Sequence, residues 1–271
     1  MENMLLIALI GLGVGILGSM MGIGGGVLII PLLTGLFGLP IKTAIGASII
    51  SVIATSSAAG AVYVGKGLTN TRLAMVMEIA TTLGAMAGGI TAILLKPNLL
   101  FAIFGIVLLY VSYNMGRPQK QDTNPSPTGL MDESYIDPQS GKPVQYGIQK
   151  LPAGLGISFL AGNISGLLGI GGGVIKVPVM TLLMGMPMRA AVATSNFMIG
   201  ITAATSAVIY YQNGYINPQI AVPTALGVLF GAQIGSRIAG RMRNQQLKQL
   251  FRWLLLFFSL QMFYRAITGG G

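Results

Sequence analysis

Two short glycine-rich stretches are the parts of this chain whose residue types and spacing are best suited to binding chemistry. They read GIGGGVLIIP at residues 22–31 and GIGGGVIKVP at residues 169–178. A glycine break inside an apolar helix exposes backbone N–H groups, and the positive ends of the flanking helices attract an anion. We therefore predict an anion site at the central glycines, which are Gly24, Gly25, Gly26, Gly171, Gly172 and Gly173.

Other interpretations of these glycines are a nucleotide loop and close helix packing. A nucleotide loop requires G-x-x-x-x-G-K-[ST], or a strand and a helix around G-x-G-x-x-G, and neither pattern occurs. Packing explains glycines at small-xxx-small spacing, such as Gly84 and Gly88. It does not require four glycines in five positions, repeated at equivalent places, and this favours the helix break.

Lys176 lies three residues beyond Gly173, about one helical turn into the segment after the second break. Its counterpart in the first stretch is Ile29. Ionisable residues inside a membrane are costly and are functional candidates by default. We predict that Lys176 is the counter-charge of a bound anion, and the alternatives are snorkelling to the membrane surface and a structural ion pair.

Glu78 is the only acidic residue inside a predicted membrane segment. It is a candidate for proton coupling or for an ion pair with Lys176, or it lies near the interface, since Arg72 is six residues away. Neutral candidates for substrate binding are Ser48, Ser195 and Asn196, in the segments that follow the glycine stretches. Asn163 and Gln233 either line a polar cavity or bridge helices.

The composition places the chain in a lipid bilayer. Of its 271 residues, 53% are hydrophobic and 8% charged, and several apolar runs reach the roughly 20 residues that cross a hydrocarbon core. We expect an all-α polytopic protein, since lipid cannot satisfy loose backbone polar groups. Basic residues flank the apolar segments, so membrane topology explains the net charge of +10 without a nucleic-acid partner.

The chain is duplicated. A shift of 147 residues, without a gap, superposes the two glycine stretches and pairs Pro40 with Pro187 and Asn70 with Asn217. We predict an N-terminal transmembrane repeat at 1–116, a flexible polar linker at 117–150 and a C-terminal transmembrane repeat at 151–271. Internal repeats of this kind are common in secondary transporters.

Length then constrains how each repeat begins. One helix from Met4 to Leu39 would be roughly 54 Å long, nearly twice the hydrocarbon thickness, so we expect a break at the glycines and another at Pro31 or Pro178. Each half would consist of a glycine-broken helix hairpin followed by three transmembrane helices.

The basic residues indicate how the two halves are related. A hairpin inverts the second half, and all but three of the loop Lys and Arg then lie on one side, against Lys42, Lys96 and Arg265 on the other. A single broken crossing would instead make the repeats parallel and divide these residues almost evenly. The positive-inside rule favours inverted repeats with a cytoplasmic linker and outside termini.

The absence of Cys and His narrows the chemistry further. Disulfides, thiolate and imidazole metal sites and His-based acid–base catalysis all require these residues. We expect no metal, no cofactor and no enzymatic activity.

The paired motifs Gly22–Gly26 with Pro31 and Gly169–Gly173 with Pro178, each followed by a Ser-containing segment, resemble the TauE/SafE sulfite exporter family, also called the toluene sulfonate uptake permease family. The resemblance covers nearly the whole chain outside residues 117–150. It implies a polytopic transporter, usually an exporter, of sulfur-containing anions such as sulfite, sulfoacetate and other organosulfonates.

The expected function is therefore transport of a small oxyanion across the bacterial inner membrane, with the anion bound near the midplane between the two glycine breaks. Export gains about 2.3 kcal/mol per charge per 100 mV of inside-negative potential, and Glu78 leaves a proton route open. Alternatives are an anion channel of the same architecture and a non-catalytic membrane scaffold. Expected partners are the anion and the lipid bilayer, and the oligomeric state stays open.

Overall fold

The computed structural model describes residues 2–115, 131–137, 141–239 and 244–269. The first half of the chain forms five helices, α1 (Glu2–Met21), α2 (Gly26–Phe37), α3 (Ile41–Gly65), α4 (Thr71–Leu94) and α5 (Pro97–Met115). The second half forms five more, α6 (Leu151–Leu168), α7 (Gly173–Pro178), α8 (Met188–Gln212), α9 (Pro218–Ile238) and α10 (Asn244–Thr268). A π-helical turn, Val179–Leu183, extends α7.

The structure repeats with the same 147-residue period as the sequence. Helices α2, α3, α4 and α5 begin at positions equivalent to the first residues of α7, α8, α9 and α10. The same local signals start the paired helices: Pro40 and Pro187 precede α3 and α8, and Asn70 and Asn217 cap α4 and α9 through side-chain oxygens. The predicted all-α polytopic duplication is confirmed.

The prolines after the glycine stretches behave differently in the two halves. Helix α2 continues through Pro31, so the predicted break there is wrong. Gln261 of α10 donates its side-chain N–H to the Pro31 carbonyl, which secures this part of α2 against the opposite half. In the second half the α-helical hydrogen bonding does give way to the π-helical turn directly after Pro178, as expected of a residue without an N–H.

Equivalent helices of the two halves run in opposite directions. In the α3–α8 pair, Gly60 lies against Phe197, and Ser56 lies against Gly200, so later residues of α3 meet earlier residues of α8. Helices α5 and α10 do the same, since Ser112 bonds to Arg252 and Gly105 to Ser259. Antiparallel contact between equivalent helices makes the two halves inverted repeats, as predicted.

Glycines allow the closest helix contacts. Gly11 and Gly15 of α1 lie against Thr224 and Val228 of α9, and a Cβ at either glycine would meet α9 backbone. The inverted copy of this contact joins α4 to α6, where Gly162 and Gly166 face the backbones of Thr81 and Ala85. Both pairs are parallel, and their small residues let the backbones approach in the way expected for membrane helices.

The direction of α2 follows from its neighbours. Helix α1 is parallel to α9, and so is α3, because Gly46 lies against Tyr215 at the start of α9, and Lys66 bonds to Ser236 near its end. Because α1 and α3 run the same way, the short α2 between them runs back. The predicted helix hairpin is therefore present, and its tip is the first glycine stretch.

Large apolar side chains cover the outside of the helix bundle. Helix α4 is representative, with Met75, Ile79, Leu83 and Leu94 exposed on one face while Glu78 on the other face is buried. Seven helices of the described residues are long and apolar enough to cross a membrane, namely α1, α3, α4, α5, α6, α8 and α9. The exposed apolar faces are those that a bilayer covers.

Part of the predicted flexible linker is folded. Strand β1 (Glu133–Ile136) pairs antiparallel with β2 (Pro143–Tyr146), and Tyr135 and Tyr146 are buried in edge-to-face contact. Burial raises the pKa of the Tyr146 phenol. The prediction of flexibility is wrong for this hairpin because its two tyrosines pack into an apolar cluster with residues at the helix ends, including Leu68 and Met184. Residues 116–130 and 138–140 lie outside the described residues.

The β-hairpin attaches to one end of the helix bundle. Asn70 donates to the Met131 carbonyl, Gln149 donates its backbone N–H to Met184, and Arg189 forms an ion pair with Asp137. The helix directions place the basic residues of this end at the ends of α3 and α9, the starts of α4 and α8, and beside the β-hairpin, namely Lys66, Arg237, Arg72, Arg189, Lys142 and Lys150. The opposite end has Lys42, Lys96 and Arg265. The bundle thus has one strongly basic end, as the inverted arrangement predicts.

Candidate functional site

The tips of the two helix hairpins are tight turns with left-handed backbone. In the first, φ is 77° at Gly24 and 71° at Gly25, and in the second it is 76° at Gly171 and 72° at Gly172. Residues with a Cβ rarely adopt these angles, which explains the middle glycines of each motif. We call residues 22–26 the first loop and residues 169–173 the second loop.

The last glycine of each loop is required for another reason. Gly26 and Gly173 have helical backbone, but a Cβ on Gly26 would lie 2.9 Å from the Gly169 carbonyl oxygen, and one on Gly173 would overlap the Gly22 carbonyl oxygen. The start of each short helix therefore packs directly on the loop of the other half. The motif GIGGG thus combines three glycines of positive φ, since φ is also 74° at Gly22 and 65° at Gly169, with one glycine of close contact.

Both loops reach the middle of the bundle. The side chains of Val52 and Ile199, at mid-length of α3 and α8, lie against Gly24 and against Gly171. The four residues are related in pairs by the inverted repeat. In this conformation Val52 and Ile199 close the space between the loops, and every loop residue is buried.

Ser48 and Ser195 brace the loops reciprocally. Ser48 Oγ donates to the Gly169 carbonyl at 2.8 Å, and Ser195 Oγ donates to the Gly22 carbonyl at 2.7 Å. Each serine thus holds the loop of the opposite half, and its hydroxyl hydrogen is already used. In this conformation both hydroxyls position the loops, because the loop carbonyls need buried partners, and their role toward an anion stays a prediction.

Asn196 is also engaged within the protein in this conformation, and its predicted substrate role stays a prediction. Its side-chain N–H groups donate to the carbonyls of Ser19 and Val192, and only its Oδ1, an acceptor, has no partner among the described residues. An acceptor oxygen does not favour an anion. Asn196 therefore ties α8 to the end of α1 and offers no free donor.

The backbone carbonyls and the backbone N–H groups of the loops differ in whether they have hydrogen-bond partners. Ser48, Ser195 and Thr55 occupy the carbonyls of Gly169, Gly22 and Gly24. In contrast, several loop N–H groups donate to no acceptor in the described part of the chain, among them those of Gly25, Gly26, Gly172 and Gly173. Because the helices start here, these N–H groups also lack intrahelical partners.

Lys176 is fully buried beside the second loop. Its Cε would lie 3.6 Å from a Cβ on Gly172, so the side chain runs back along α7 toward the turn. Its Nζ lies 3.1 Å from Glu78 Oε2 and donates to Thr202 Oγ1 at 2.9 Å. Thr202 in turn donates to the other carboxylate oxygen of Glu78, which closes a three-residue ring.

This ring decides between the interpretations of Lys176 and Glu78 for the present conformation. Lys176 does not snorkel, since none of its surface is exposed, and it is paired with Glu78. Glu78 faces the interior of the bundle, because its side chain is only 6% exposed. The positive charge beside the second loop is balanced by Glu78, and its role toward an anion stays a prediction.

Ser165 is a candidate that the sequence reasoning missed. Its Cβ would lie 3.3 Å from a Cβ on Gly172, and its buried Oγ has no partner within the described residues. The available signal was its position one helical turn before Gly169, on the face of α6 that enters the second loop. The repeat-equivalent residue is Gly18, so this hydroxyl occurs in the second half only.

Asn163 and Gln233 lie outside this arrangement. The backbone of Asn163 contacts Gly84 and Gly88 in the α4–α6 pair, and Gln233 accepts a hydrogen bond from Ser236 through its carbonyl. Both side chains are half-buried. The described residues contain no group of three or more acidic residues arranged to hold a metal ion.

Comparison with known proteins identifies the family. The family model for the sulfite exporter TauE/SafE matches residues 7–262. The chain belongs to the TauE/SafE sulfite exporter family. This match spans both inverted repeats and both glycine loops, so the family resemblance predicted from the motifs is confirmed.

Relatives similar over their full length are named as probable membrane transporters. The probable membrane transporter protein YunE of Bacillus subtilis (strain 168) is 29% identical over 273 residues, which cover 98% of this chain and 99% of that protein. A probable membrane transporter protein of Methanocaldococcus jannaschii is 26% identical over 265 residues, covering 92% and 91%. This TauE/SafE chain is therefore a multi-pass membrane transporter.

A more local similarity extends to plants. The sulfite exporter TauE/SafE family protein 6 of Arabidopsis thaliana is 33% identical over 110 residues, which cover 41% of this chain and 25% of that protein. No solved structure matches the chain.

Proposed function

We propose that this TauE/SafE protein transports small sulfur-containing oxyanions, such as sulfite, sulfoacetate or other organosulfonates, out of the cell across the bacterial inner membrane. The observation that carries the proposal is the polarity of the two loops at mid-bundle. Their carbonyls are occupied by serine and threonine hydroxyls, while the N–H groups of Gly25, Gly26, Gly172 and Gly173 have no acceptor among the described residues. Open donors in a dry site favour an anion over a cation.

The second loop is the stronger half of the proposed site. Gly172 and Gly173 supply N–H groups there, Ser165 supplies an uncommitted hydroxyl, and Lys176 supplies positive charge. A sulfonate has three oxygens and needs several converging donors, which this group provides. The first loop has Gly18 and Ile29 in place of Ser165 and Lys176, so it offers backbone donors only.

Transport requires that the closed middle of the bundle open alternately to its two ends. Inverted repeats supply two equivalent conformations, because each half can adopt the arrangement of the other. Val52 and Ile199 are repeat-equivalent and seal the same space, so they are the proposed gate residues. By the positive-inside rule, the basic end that carries Lys66 and Arg189 faces the cytoplasm.

A thermal-shift screen of the purified protein tests the substrate class. Sulfite, sulfoacetate and other sulfonates should raise the unfolding temperature, since a ligand at 100 times its Kd stabilises the native state by about 2.7 kcal/mol. Carboxylate analogues, taurine and sulfate are the comparison compounds. Stabilisation by carboxylates without any by sulfite or sulfonates would contradict the proposed specificity.

Flux measurements in proteoliposomes then distinguish a carrier from a channel. A carrier saturates with substrate and is accelerated by substrate on the opposite side of the membrane. Unsaturating flux of thousands of ions per opening would instead support an anion channel and contradict the proposed alternating gate.

A further inference from the structure

The buried ring of Lys176, Glu78 and Thr202 is electrically neutral and internally complete. The lysine donates to the carboxylate and to the threonine hydroxyl, and the hydroxyl donates to the second carboxylate oxygen. Lys176 is fully buried and Glu78 is 5% exposed. Removing either charge would leave the other unpaired in a medium of low dielectric, which is strongly unfavourable.

The fold itself does not require this ion pair. The inverted repeat places Ile29, Ala225 and Thr55 at the positions equivalent to Lys176, Glu78 and Thr202. Thr55 there donates to the Gly24 carbonyl of its own loop. The other half packs at the same positions without any charge, so helix packing alone does not explain why Lys176 and Glu78 are charged. We therefore look for their role in the properties that the second loop has and the first loop lacks.

Each member of the pair is the other's only charged partner in the described structure. Helix α6 has no ionisable residue, and Lys176 is the only one in α7 and its π-helical turn. On α8, Arg189 at the first turn pairs with Asp137, and Tyr210 and Tyr211 lie at the last turn. Helix α4 adds only Arg72, which lies six residues before Glu78 and is exposed.

We propose that a bound anion replaces Glu78 as the partner of Lys176, and that Glu78 takes up one proton as it is displaced. For a buried carboxylate without a partner, taking up a proton costs less free energy than keeping the charge in a medium of low dielectric. The empty transporter then contains Lys176 as a cation and Glu78 as an anion. The loaded transporter contains the cation, the substrate anion and a neutral glutamic acid.

Both states carry no net charge at the centre of the membrane. A monovalent anion therefore crosses together with one proton, and the cycle is electroneutral. The membrane potential then does not contribute for a monovalent substrate, and export proceeds when the outward anion gradient exceeds the inward proton gradient. This inference rests on the proposed anion transport and adds its coupling ion.

Proton uptake on binding is measured directly on the wild-type protein. Methanesulfonate is the probe, because it is fully ionised at neutral pH and brings no proton itself. Isothermal titration in two buffers of different ionisation enthalpy should show uptake of about one proton for each bound anion. Binding with no proton uptake overturns the coupling and leaves the proposed substrate class intact. If neither methanesulfonate nor sulfite binds, the proposed function fails together with the inference.

Glu78→Gln separates coupling from binding in proteoliposomes. The glutamine cannot return to an anion, so the empty variant keeps an unpaired lysine charge, whereas its loaded form is neutral. Anion-for-anion exchange should persist while net methanesulfonate efflux is lost. Glu133→Gln, in the β-hairpin outside the membrane, is the matched control and should retain both activities. Net efflux by Glu78→Gln at the wild-type rate would overturn the proposal.

The driving force gives a test that needs no variant. With wild-type protein, a pH gradient should change the initial rate of methanesulfonate transport, and a potassium–valinomycin potential at equal pH should leave it unchanged. The reverse pattern, dependence on potential and none on pH, would show movement of the anion alone and overturn electroneutral coupling.

Discussion

Lys176 Nζ lies 3.1 Å from Glu78 Oε2, joining residues 98 positions apart that belong to opposite halves of the chain. Both side chains are buried, and the contact lies beside the second glycine loop. Because the first loop has no such pair, the two halves share a backbone arrangement but differ in charge. The inverted repeat thus supplies the symmetric framework, and this ion pair supplies its asymmetry.

Replacing Glu78 and Lys176 by the uncharged residues at the equivalent positions of the repeat tests whether this ion pair has a functional or a structural role. Glu78→Ala alone should destabilise the protein by about 3–5 kcal/mol, since it leaves a buried lysine unpaired. The double substitution Glu78→Ala, Lys176→Ile reproduces Ala225 and Ile29, so it should recover most of the unfolding temperature yet lose anion-dependent stabilisation. A double variant as unstable as the two single changes combined would indicate a structural role.

Replacing Ser48 or Ser195 by alanine should lower the stability of the protein by a similar amount. Ser48→Ala and Ser195→Ala each leave one buried loop carbonyl without a partner, which costs about 1–3 kcal/mol. Thermal unfolding of the purified variants measures this loss. Ser57→Ala is the control on α3, because Ser57 is exposed and bonds only within its own helix. Equal unfolding temperatures for the Ser195→Ala and Ser57→Ala proteins would contradict the bracing role.

The glycines of close contact are predicted to be more sensitive than ordinary helix glycines. Gly173→Ala places a Cβ on the Gly22 carbonyl and should disrupt the loop contact and transport. Gly13→Ala, in α1, meets nothing within 4 Å and should be neutral or stabilising by up to about 1 kcal/mol, because alanine favours a helix. Expression, unfolding temperature and transport are compared, and a fully active Gly173→Ala protein would refute the close contact.

Two buried hydroxyls on α6 distinguish binding from packing. Ser165 and Ser158 both lack a partner within the described residues, but only Ser165 lies against the second loop. Ser165→Ala should weaken sulfonate binding about tenfold, because losing one hydrogen bond costs roughly 1.4 kcal/mol of binding free energy. The stability of the protein should change little. Ser158→Ala should leave affinity unchanged. Titration calorimetry measures both, and equal affinities would remove Ser165 from the site.

Membrane orientation can be measured in the natural sequence background, because the chain contains no cysteine. Lys142→Cys lies in the β-hairpin at the basic end, and Asn98→Cys lies at the other end of the bundle; both positions are exposed. An impermeant maleimide added to intact cells should label Asn98→Cys only, and Lys142→Cys should react after permeabilisation. The opposite pattern would place the basic end outside.

Much of the fold was predictable because, in a bilayer, the length and hydropathy of each segment are enough to identify the membrane helices. Apolar length sets each membrane segment, the 147-residue shift is visible without a structure, and the hairpin follows from the length of the run between Met4 and Leu39. The β-hairpin at Tyr135 and Tyr146 was not predictable from its polar composition, since its stability depends on packing against helix ends far away in the chain.

The candidate site was predictable in its location and less so in its atoms. The glycine loops, Lys176 and Glu78 were identified from residue type and depth alone. The loop carbonyls that the serines contact could not be predicted, because a hydroxyl on a helix has no preferred direction until another element packs against it. Ser48 reaches Gly169 only because the inverted half brings that carbonyl beside α3.

The sequence by itself therefore determined the class of protein, the segments, the duplication and its inversion, since each depends on hydropathy, length and charge along the chain. Only the tertiary structure decided which buried polar groups meet. The pairing of Lys176 with Glu78 and the crossed serine bonds arise where faces of helices from opposite halves pack together. Those contacts depend on helix rotation and close approach at glycines, which no local pattern in the chain encodes.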